Sequence, residues 1–245
     1  MLDFLVVIPA RYKSSRFEGK PLALIDGMPM LVRTYKQCLK AIEKEKIFVA
    51  TDNSKIKDLC DQFEIQSILT SENCLTGTDR VAEVAENLKA QFYINIQGDE
   101  PLINPEDIKL FLQEVKKTPE KLHNGFCNAE ESHFYDYNSP KIVVNNNNEL
   151  LYISRAPIPG NKKNTFISCF RQVCIYSYPY KALKDFASSK SKTKLETIED
   201  IEILRFLELG WKINMIQLSE SSISVDKPSD IIRVENEIAK RTKYK

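Results

Sequence analysis

Four short runs with the look of buried strands, residues 5–8, 47–50, 65–69 and 92–96, constrain the fold of this chain most. Each is too short for a stable helix and is bounded by polar residues or proline. Helical spacing fills the intervals. Met30, Leu31, Thr34, Cys38, Leu39 and Ile42 mark one helix to about residue 43, and residues 51–54 cap a second over 55–62. Val81, Val84, Ala85 and Leu88 mark the face of a third. Strand–helix alternation of this kind predicts an α/β fold, a parallel sheet with helices on both faces. In such sheets ligands bind beyond the carboxyl ends of the strands, so the loops that follow the runs are where chemistry is expected.

The first of these loops is cationic. Pro9 ends regular pairing, and Arg11, Lys13, Arg16 and Lys20 follow, with Ser14, Ser15 and Gly19 between them. Small residues let backbone N–H groups approach a polyphosphate, while Arg and Lys neutralise it. The plain alternative is a solvated surface loop. Asp26-Gly27 then marks a tight turn, and Pro29 suits a first helical turn. In Thr76-Gly-Thr-Asp-Arg80, Thr78 reads as the helix N-cap and Asp79 as a first-turn anion. Arg80 has no such explanation, because the helix dipole disfavours a cation there. The fourth run empties into Gln97-Gly-Asp-Glu-Pro101. Asn104-Pro105 already starts the next helix, to about residue 116, which leaves Asp99 free to face the cleft. Its oxygens suit Mg²⁺, which binds one or two carboxylates plus substrate phosphates.

Composition excludes several functions. The 245 residues carry 35 basic and 34 acidic side chains, a net charge of +1 with no electrostatic footprint for nucleic acid. No apolar run approaches the ~18 residues of a membrane span. Met1-Leu2-Asp3 lacks the charged start of a signal peptide. Six cysteines without a C-x-x-C pair, and only two histidines, argue against zinc and for a reducing cytoplasm. No G-x-G-x-x-G appears, which speaks against a dinucleotide redox enzyme. With no repeat and no dividing linker, residues 1–245 read as one domain.

The second half alternates less clearly. Residues 118–137 carry little pattern, and His123 and His133 read as surface residues. Residues 141–144 and 150–154 form a hairpin around an Asn-rich turn, and 169–178 another strand. These antiparallel pieces, roughly 138–195, read as a lobe added to the parallel sheet. Residues 188–194 read as a hydrophilic loop. Residues 195–205 read as one helix with Ile198, Ile201, Leu204 and Leu207 toward a core and Glu196, Glu199, Asp200 and Glu202 on the other faces. A strand at 213–218 precedes a last amphipathic helix with Ile231, Ile232, Val234, Ile238 and Ala239 inward.

The motifs in their order resemble the CMP-Kdo synthetase (3-deoxy-manno-octulosonate cytidylyltransferase) family. Residues 8–22 match its Ile-Pro-Ala-Arg-x-x-Ser-x-Arg-x-Pro-Gly-Lys-Pro-Leu except that Glu18 stands for proline. Gly77-Thr-Asp-Arg80 with Ala82 and Glu83, Gln97-Gly-Asp-Glu-Pro101, Ser154-Arg-Ala-Pro-Ile-Pro159, the acidic stretch ending at Arg205, and Val225-Asp-Lys-Pro-Ser-Asp230 also match. Cys74-Leu75-Thr76 departs from the family's His-x-Ser. The resemblance implies a Rossmann-like, mostly parallel sheet with helices on both faces and a small antiparallel dimerisation lobe, hence a homodimer. It implies that Pro9, Ala10, Arg11, Ser14, Arg16 and Lys20 bind the nucleotide, with Arg11, Ser14, Arg16 and Lys20 on the CTP triphosphate, and that Thr78, Asp79 and Arg80 border the cytosine. It assigns the sugar to Gln97, Arg155, Gln172, Tyr176, Glu196, Glu199, Asp200 and Glu202, and Mg²⁺ to Asp99 and Asp226. Lys20, Asp99 and Asp226 become the catalytic set. The implied reaction transfers CMP from CTP to the anomeric hydroxyl of a 3-deoxy-2-keto sugar acid, for surface polysaccharide. A sialic-acid-type cytidylyltransferase and a non-catalytic nucleotide-sugar-binding protein are the alternatives. The family's His-Leu-Gly-Ile-Tyr is Gln172-Val-Cys-Ile-Tyr176 here, and Asp200 fills a usually apolar position. Both changes make the pocket less positive, as an amine-bearing sugar such as 8-amino-Kdo would require.

Overall fold

The computed structural model describes residues 2–14, 16–163, 165–189, 191–220 and 222–243; Ser15 of the cationic loop and Lys190 of the hydrophilic loop lie outside them. Strand β1 (Leu2–Ala10) is buried from Phe4 to Ala10, as expected of an apolar run covered on both faces. Its side chains alternate between two cores: Phe4, Val6 and Ile8 on one face of the sheet, Leu5 and Val7 on the other. A short hairpin, β2 (Leu24–Ile25) and β3 (Met28–Pro29), turns at Asp26 and Gly27, with φ of 44° and 70°. Positive φ at both positions is what a two-residue hairpin turn demands. Helix α1 (Met30–Leu39), strand β4 (Ile47–Thr51), helix α2 (Ser54–Gln62) and strand β5 (Ser67–Leu69) follow, and Asn53 caps α2 by accepting from Lys55 N.

Helix α3 (Gly77–Asn87) starts one residue before Thr78, so Thr78 is not its cap. The cap is Thr76, whose side chain and backbone exchange hydrogen bonds with Asp79 in a capping box. An acid three residues after the cap fixes that frame. Strand β6 (Ala90–Ile96) lies parallel to β1, as does β4 on the other side. Helix α4 (Pro105–Val115) has Asn104 as its cap.

The second half departs from expectation. Residues 122–129 form a strand, β7 (Leu122–Ala129), followed by the single turn α5 (Glu131–Phe134). The hairpin β8 (Lys141–Val144) and β9 (Leu150–Ser154) forms as expected. Strand β10 (Cys169–Pro179), however, runs antiparallel between β6 and β7, inside the main sheet. The hairpin therefore hangs from the main sheet through β10, pairing Ile142 with Phe170. Helices α6 (Tyr180–Ala187), α7 (Lys194–Glu199) and α8 (Ile203–Glu208) follow, then β11 (Ile213–Gln217), parallel to β7, and α9 (Asp230–Lys243). Among the described residues nine strands form one sheet, ordered β11-β7-β10-β6-β1-β4-β5 with β8 and β9 attached to β10.

Polar residues built into β7 hid it. Asn124 is fully buried and donates to the carbonyls of Val173 and Ile175 at 3.0 and 2.8 Å, where β10 breaks register. A Cβ on Gly125 would stand 2.6 Å from Leu218 and 2.8 Å from Ile175, so no larger residue fits. His123 is 2% exposed rather than on the surface, and burial pushes its imidazole down to about 4.

The acidic stretch is two short helices rather than one. Asp200 sits between them at φ 50°, a left-handed conformation that Asp tolerates better than most residues. The break turns Ile198 outward, 70% exposed, while Leu204 is buried as expected. Along α9, Ile232 and Ala239 face solvent, and Val234, Ile231 and Ile238 pack inward. No helix among the described residues is long and apolar enough to cross a membrane.

Candidate active site

The carboxyl ends of β1 and β6 open into a cleft of about 660 Å³. Pro9, Ala10, Arg11, Ser14, Arg16 and Lys20 line one end. Gly98 allows the floor to close: a Cβ there would stand 3.0 Å from the Pro9 carbonyl. At the middle lie two carboxylates. Lys20 Nζ donates to Asp99 Oδ2 at 2.5 Å and to the Val225 carbonyl at 2.9 Å, so Asp99 is held rather than free. Arg16 Nη2 lies 3.1 Å from Asp226 Oδ1. Val225 N donates to the Asp99 carbonyl at 3.0 Å, tying the two segments together. Burial first, and then the charge of Asp99, raises the Asp226 carboxyl above the ordinary range. Two carboxylates that feel each other across a polar cleft, balanced by a lysine and an arginine, form a donor set that suits Mg²⁺. No group of three or more His, Cys, Asp or Glu poised for a metal occurs among the described residues.

Sequence reasoning missed Glu100. It is 3% exposed, accepts a hydrogen bond from Ser222 Oγ, and is pushed up to about 7 by burial and by Asp99. Its adjacency to Asp99 was the available signal. His133, half-buried, also borders the cleft instead of lying on the surface.

The residues expected around the base divide. Arg80 reaches the cleft wall at 2% exposure, with Nη2 2.5 Å from Asp52 and Nη1 on Thr70 Oγ1 and the Ser71 carbonyl. Asp52 also accepts from Tyr12 N, so Arg80 braces the cationic loop. This explains the cation that the helix dipole disfavours. Thr78 and Asp79 turn away from the cleft. Thr78 is 1% exposed and bonds Glu202, and Asp79 completes the cap and pairs with Arg205 at 3.1 Å.

The sugar set divides as well. Gln97, Arg155, Gln172, Tyr176, Asp200 and Glu202 line the cleft. Glu196 does not: it is fully buried, with both oxygens on Arg205 at 2.6 and 2.7 Å, while the guanidinium stacks 3.7 Å from the Phe186 ring centre. Glu199 accepts from Ser154 Oγ and Arg155 N at 2.6 and 2.9 Å. Glu202 takes the N–H groups of Gly77 and Thr78 at the start of α3, at 3.1 and 2.9 Å. Asp200 pairs with Lys192 at 2.7 Å, which holds its carboxyl below the ordinary range. Gln172 donates to Asn124 Oδ1 at 2.9 Å.

Residues 5–213 match the cytidylyltransferase family profile. The chain belongs to that family. The relatives of this cytidylyltransferase include the 3-deoxy-manno-octulosonate cytidylyltransferases of Trichlorobacter lovleyi, 37% identical over 94% of this chain and 96% of that one, and Fusobacterium nucleatum, 39% identical over 97% of both. A mitochondrial enzyme of that name from Arabidopsis thaliana is 38% identical over 96% of this chain and 83% of its own. A solved CMP:2-keto-3-deoxy-manno-octonic acid synthetase complexed with CTP superposes with a TM-score of 0.89 at 31% identity, covering 97% of this cytidylyltransferase and 99% of that chain.

Proposed function

We propose that this cytidylyltransferase transfers CMP from CTP to the anomeric hydroxyl of a 3-deoxy-2-keto sugar acid of the Kdo type, releasing pyrophosphate. The observation that carries the reading is the Asp99–Asp226 pair, which shares one cleft with Arg11, Arg16 and Lys20, fit for a triphosphate, and with Gln97, Gln172 and Tyr176, fit for a sugar. The names of the relatives support the choice of sugar acid.

Arg11, Arg16 and Lys20 take the charge of the triphosphate, and that charge grows on the leaving pyrophosphate as the bond to the α-phosphorus breaks. Lys20 also fixes Asp99, so one side chain couples phosphate contact to carboxylate placement. Gln97 and Tyr176 offer hydrogen bonds that orient the sugar for in-line attack, and orientation supplies much of the rate in such transfers. Asp99 and Asp226 would hold Mg²⁺, which when bound neutralises phosphate charge and lowers the pKa of a hydroxyl bound to it. The intact carboxylate pair argues against a non-catalytic binding protein.

The 8-amino form of the sugar loses one of its two supports. Asp200 already has Lys192 as its cation, so an ammonium group would have to displace it. The neutral Gln172 remains in favour. A homodimer is proposed on the exposed Tyr137, Leu151 and Ile167, at 64, 57 and 76%, on and beside the hairpin. Six free cysteines suit a reducing compartment.

Pyrophosphate release, measured with CTP, Mg²⁺ and a panel of Kdo, 8-amino-Kdo and a sialic acid, tests the reading. Turnover of Kdo is expected. Preference for the sialic acid, or CTP binding without turnover of any sugar acid, would overturn it. Preference for the 8-amino sugar would restore the amine reading within the same chemistry.

A further inference from the structure

The substrate of the reaction proposed above carries a carboxylate on the carbon that bears the attacking hydroxyl. That charge must therefore enter the cleft close to Asp99 and Asp226, and it needs a cation. Most cations of the cleft are engaged elsewhere. Lys20 is on Asp99, Arg16 on Asp226, Arg80 on Asp52 and Lys192 on Asp200. Arg155 donates to three backbone carbonyls, those of Glu199, Tyr137 and Asp200, and is a brace of the corner between α7 and α8. Arg11 stands at the triphosphate end.

Lys227 and Arg233 also line the cleft, and both are exposed. Arg171 differs from those two in being partly buried. It projects from β10 into the cleft wall, and its Nη2 donates to the carbonyls of Glu220 and Ser222 at 3.2 and 3.1 Å. It has no carboxylate within ion-pair distance among the described residues, and its Nε is buried without any partner. A buried N–H without an acceptor is rare and calls for a physical reason. The placement fits the need. Ser222, which Arg171 contacts, donates its hydroxyl to Glu100, the neighbour of Asp99. The guanidinium thus lies in the part of the wall next to Glu100, whose carboxyl feels its charge. A second unmatched polar atom, Nδ1 of His133, is buried in the same wall. After burial, the charges of Arg171 and Arg233 hold that imidazole below its ordinary range, so the local field is positive.

We propose that Arg171 receives the carboxylate of the sugar acid and so selects 2-keto acids over neutral sugars of the same shape. A guanidinium matches a carboxylate in charge and in its planar fork, which an amide cannot replace. The assignment rests on the second substrate being a sugar acid.

The test uses two ligands that lack the anomeric hydroxyl and cannot react: the 2-deoxy sugar acid and its C1 carboxamide. Their inhibition constants are measured against Kdo for the wild type, Arg171→Gln and Arg171→Lys, with CTP and Mg²⁺ present. Arg171→Gln is expected to weaken the acid about 30-fold or more and leave the amide within about 3-fold, because a charge-assisted contact is lost from one ligand only. Arg171→Lys should keep part of the preference, and the KM for CTP should not move in either variant. If both ligands weaken equally, Arg171 acts only by holding the segment around Ser222 and the assignment fails. An unchanged ratio of acid to amide overturns it too. Should Arg171→Gln fail to fold by circular dichroism, Arg171→Lys decides, since full loss of preference with a folded protein supports the proposal and a full preference unaltered in every constant refutes it. Wild-type turnover of no sugar acid would defeat the functional reading itself, a result distinct from Kdo turnover with unchanged ligand ratios.

Discussion

Two acidic stretches of this chain look alike as text and behave as opposites in space. Gln97-Gly-Asp-Glu-Pro101 brings Asp99 to the cleft, with Glu100 buried beside it on the Ser222 hydroxyl. The stretch from Leu195 to Arg205 holds four acids, and all are taken up by the chain itself: Glu196 by Arg205, Glu199 by Ser154 and Arg155 N, Asp200 by Lys192, Glu202 by the start of α3. The difference lies in the available donors. Beyond β6 the chain enters a cleft wall where one lysine holds Asp99 and part of the carboxylate stays exposed. Around α7 and α8, backbone N–H groups and a buried arginine are already waiting. An acid at a strand's carboxyl end is thus a better guide to chemistry than several acids on a helix.

The largest effect that would sharpen this contrast is on stability. Glu196→Gln should leave Arg205 buried with half its counter-charge and cost about 3–5 kcal/mol. Urea unfolding reads this, and the turnover of the remaining folded protein should be near normal; a loss under about 1 kcal/mol would erase the contrast. On the other stretch the effect moves to catalysis. Asp99→Asn, and Asp226→Asn in its partner, should each lower turnover by about 100- to 1,000-fold, the scale of removing one electrostatic element of a transition state. The melting temperature of Asp226→Asn should hold or rise, because burial and the charge of Asp99 raise that carboxyl, whereas Asp99→Asn also loses the Lys20 ion pair. Activity within a few-fold of wild type would break the metal assignment.

The acid response provides a third separation: Glu100, pushed up to about 7, gains its proton in the folded state and stabilises it as pH falls, while His123, outside both stretches, acts in the opposite sense. His123 titrates near 4 when folded and 6.5 when unfolded, so the unfolded chain takes up a proton first as pH falls. Its contribution is complete above pH 6.5 and declines below it, by about 2 kcal/mol at pH 5. Urea titrations of His123→Asn and wild type at pH 7 and pH 5 should show a shallower loss in the variant; equal slopes would put the sensitivity elsewhere. The smallest effect belongs to the cap. Thr76→Ala should cost about 1 kcal/mol and Thr76→Ser almost nothing, read as shifts in melting temperature. Equal losses would mean that the methyl group, not the cap, matters.

How much was legible follows from how each part is buried. β1, β4 and β6 were readable because strands covered on both faces must be apolar throughout. β7 was not, because the register break in β10 requires Asn124 and Gly125 at positions where an apolar residue would be expected. Arg11, Arg16, Lys20, Asp99 and Asp226 were named from sequence and do converge. Thr78 and Asp79 were displaced by a capping frame two residues off, although Thr76-x-x-Asp79 was itself the signal. Glu196 and Glu199 were displaced because no local rule reveals an arginine nine residues on or a serine on another strand. Arg171 was passed over because nothing local in the text shows that β10 enters the main sheet beside β7.

The interior position of β10 also governs the order in which the molecule can be built. A chain with only β1, β4, β5 and β6 paired already owns the cationic loop and Asp99, yet it has nothing to set opposite them. Asp226 follows β11, which joins the sheet through β7 and β10, so its placement rests on long-range pairings. Closing the loops behind such pairings is entropically slow. Competence to bind metal and substrate is therefore a late event on the folding path. The sole tryptophan, Trp211, stands just before β11 with the Lys181 ammonium 5.0 Å from its ring, and reports on that late half. During refolding, recovered turnover cannot run ahead of its fluorescence.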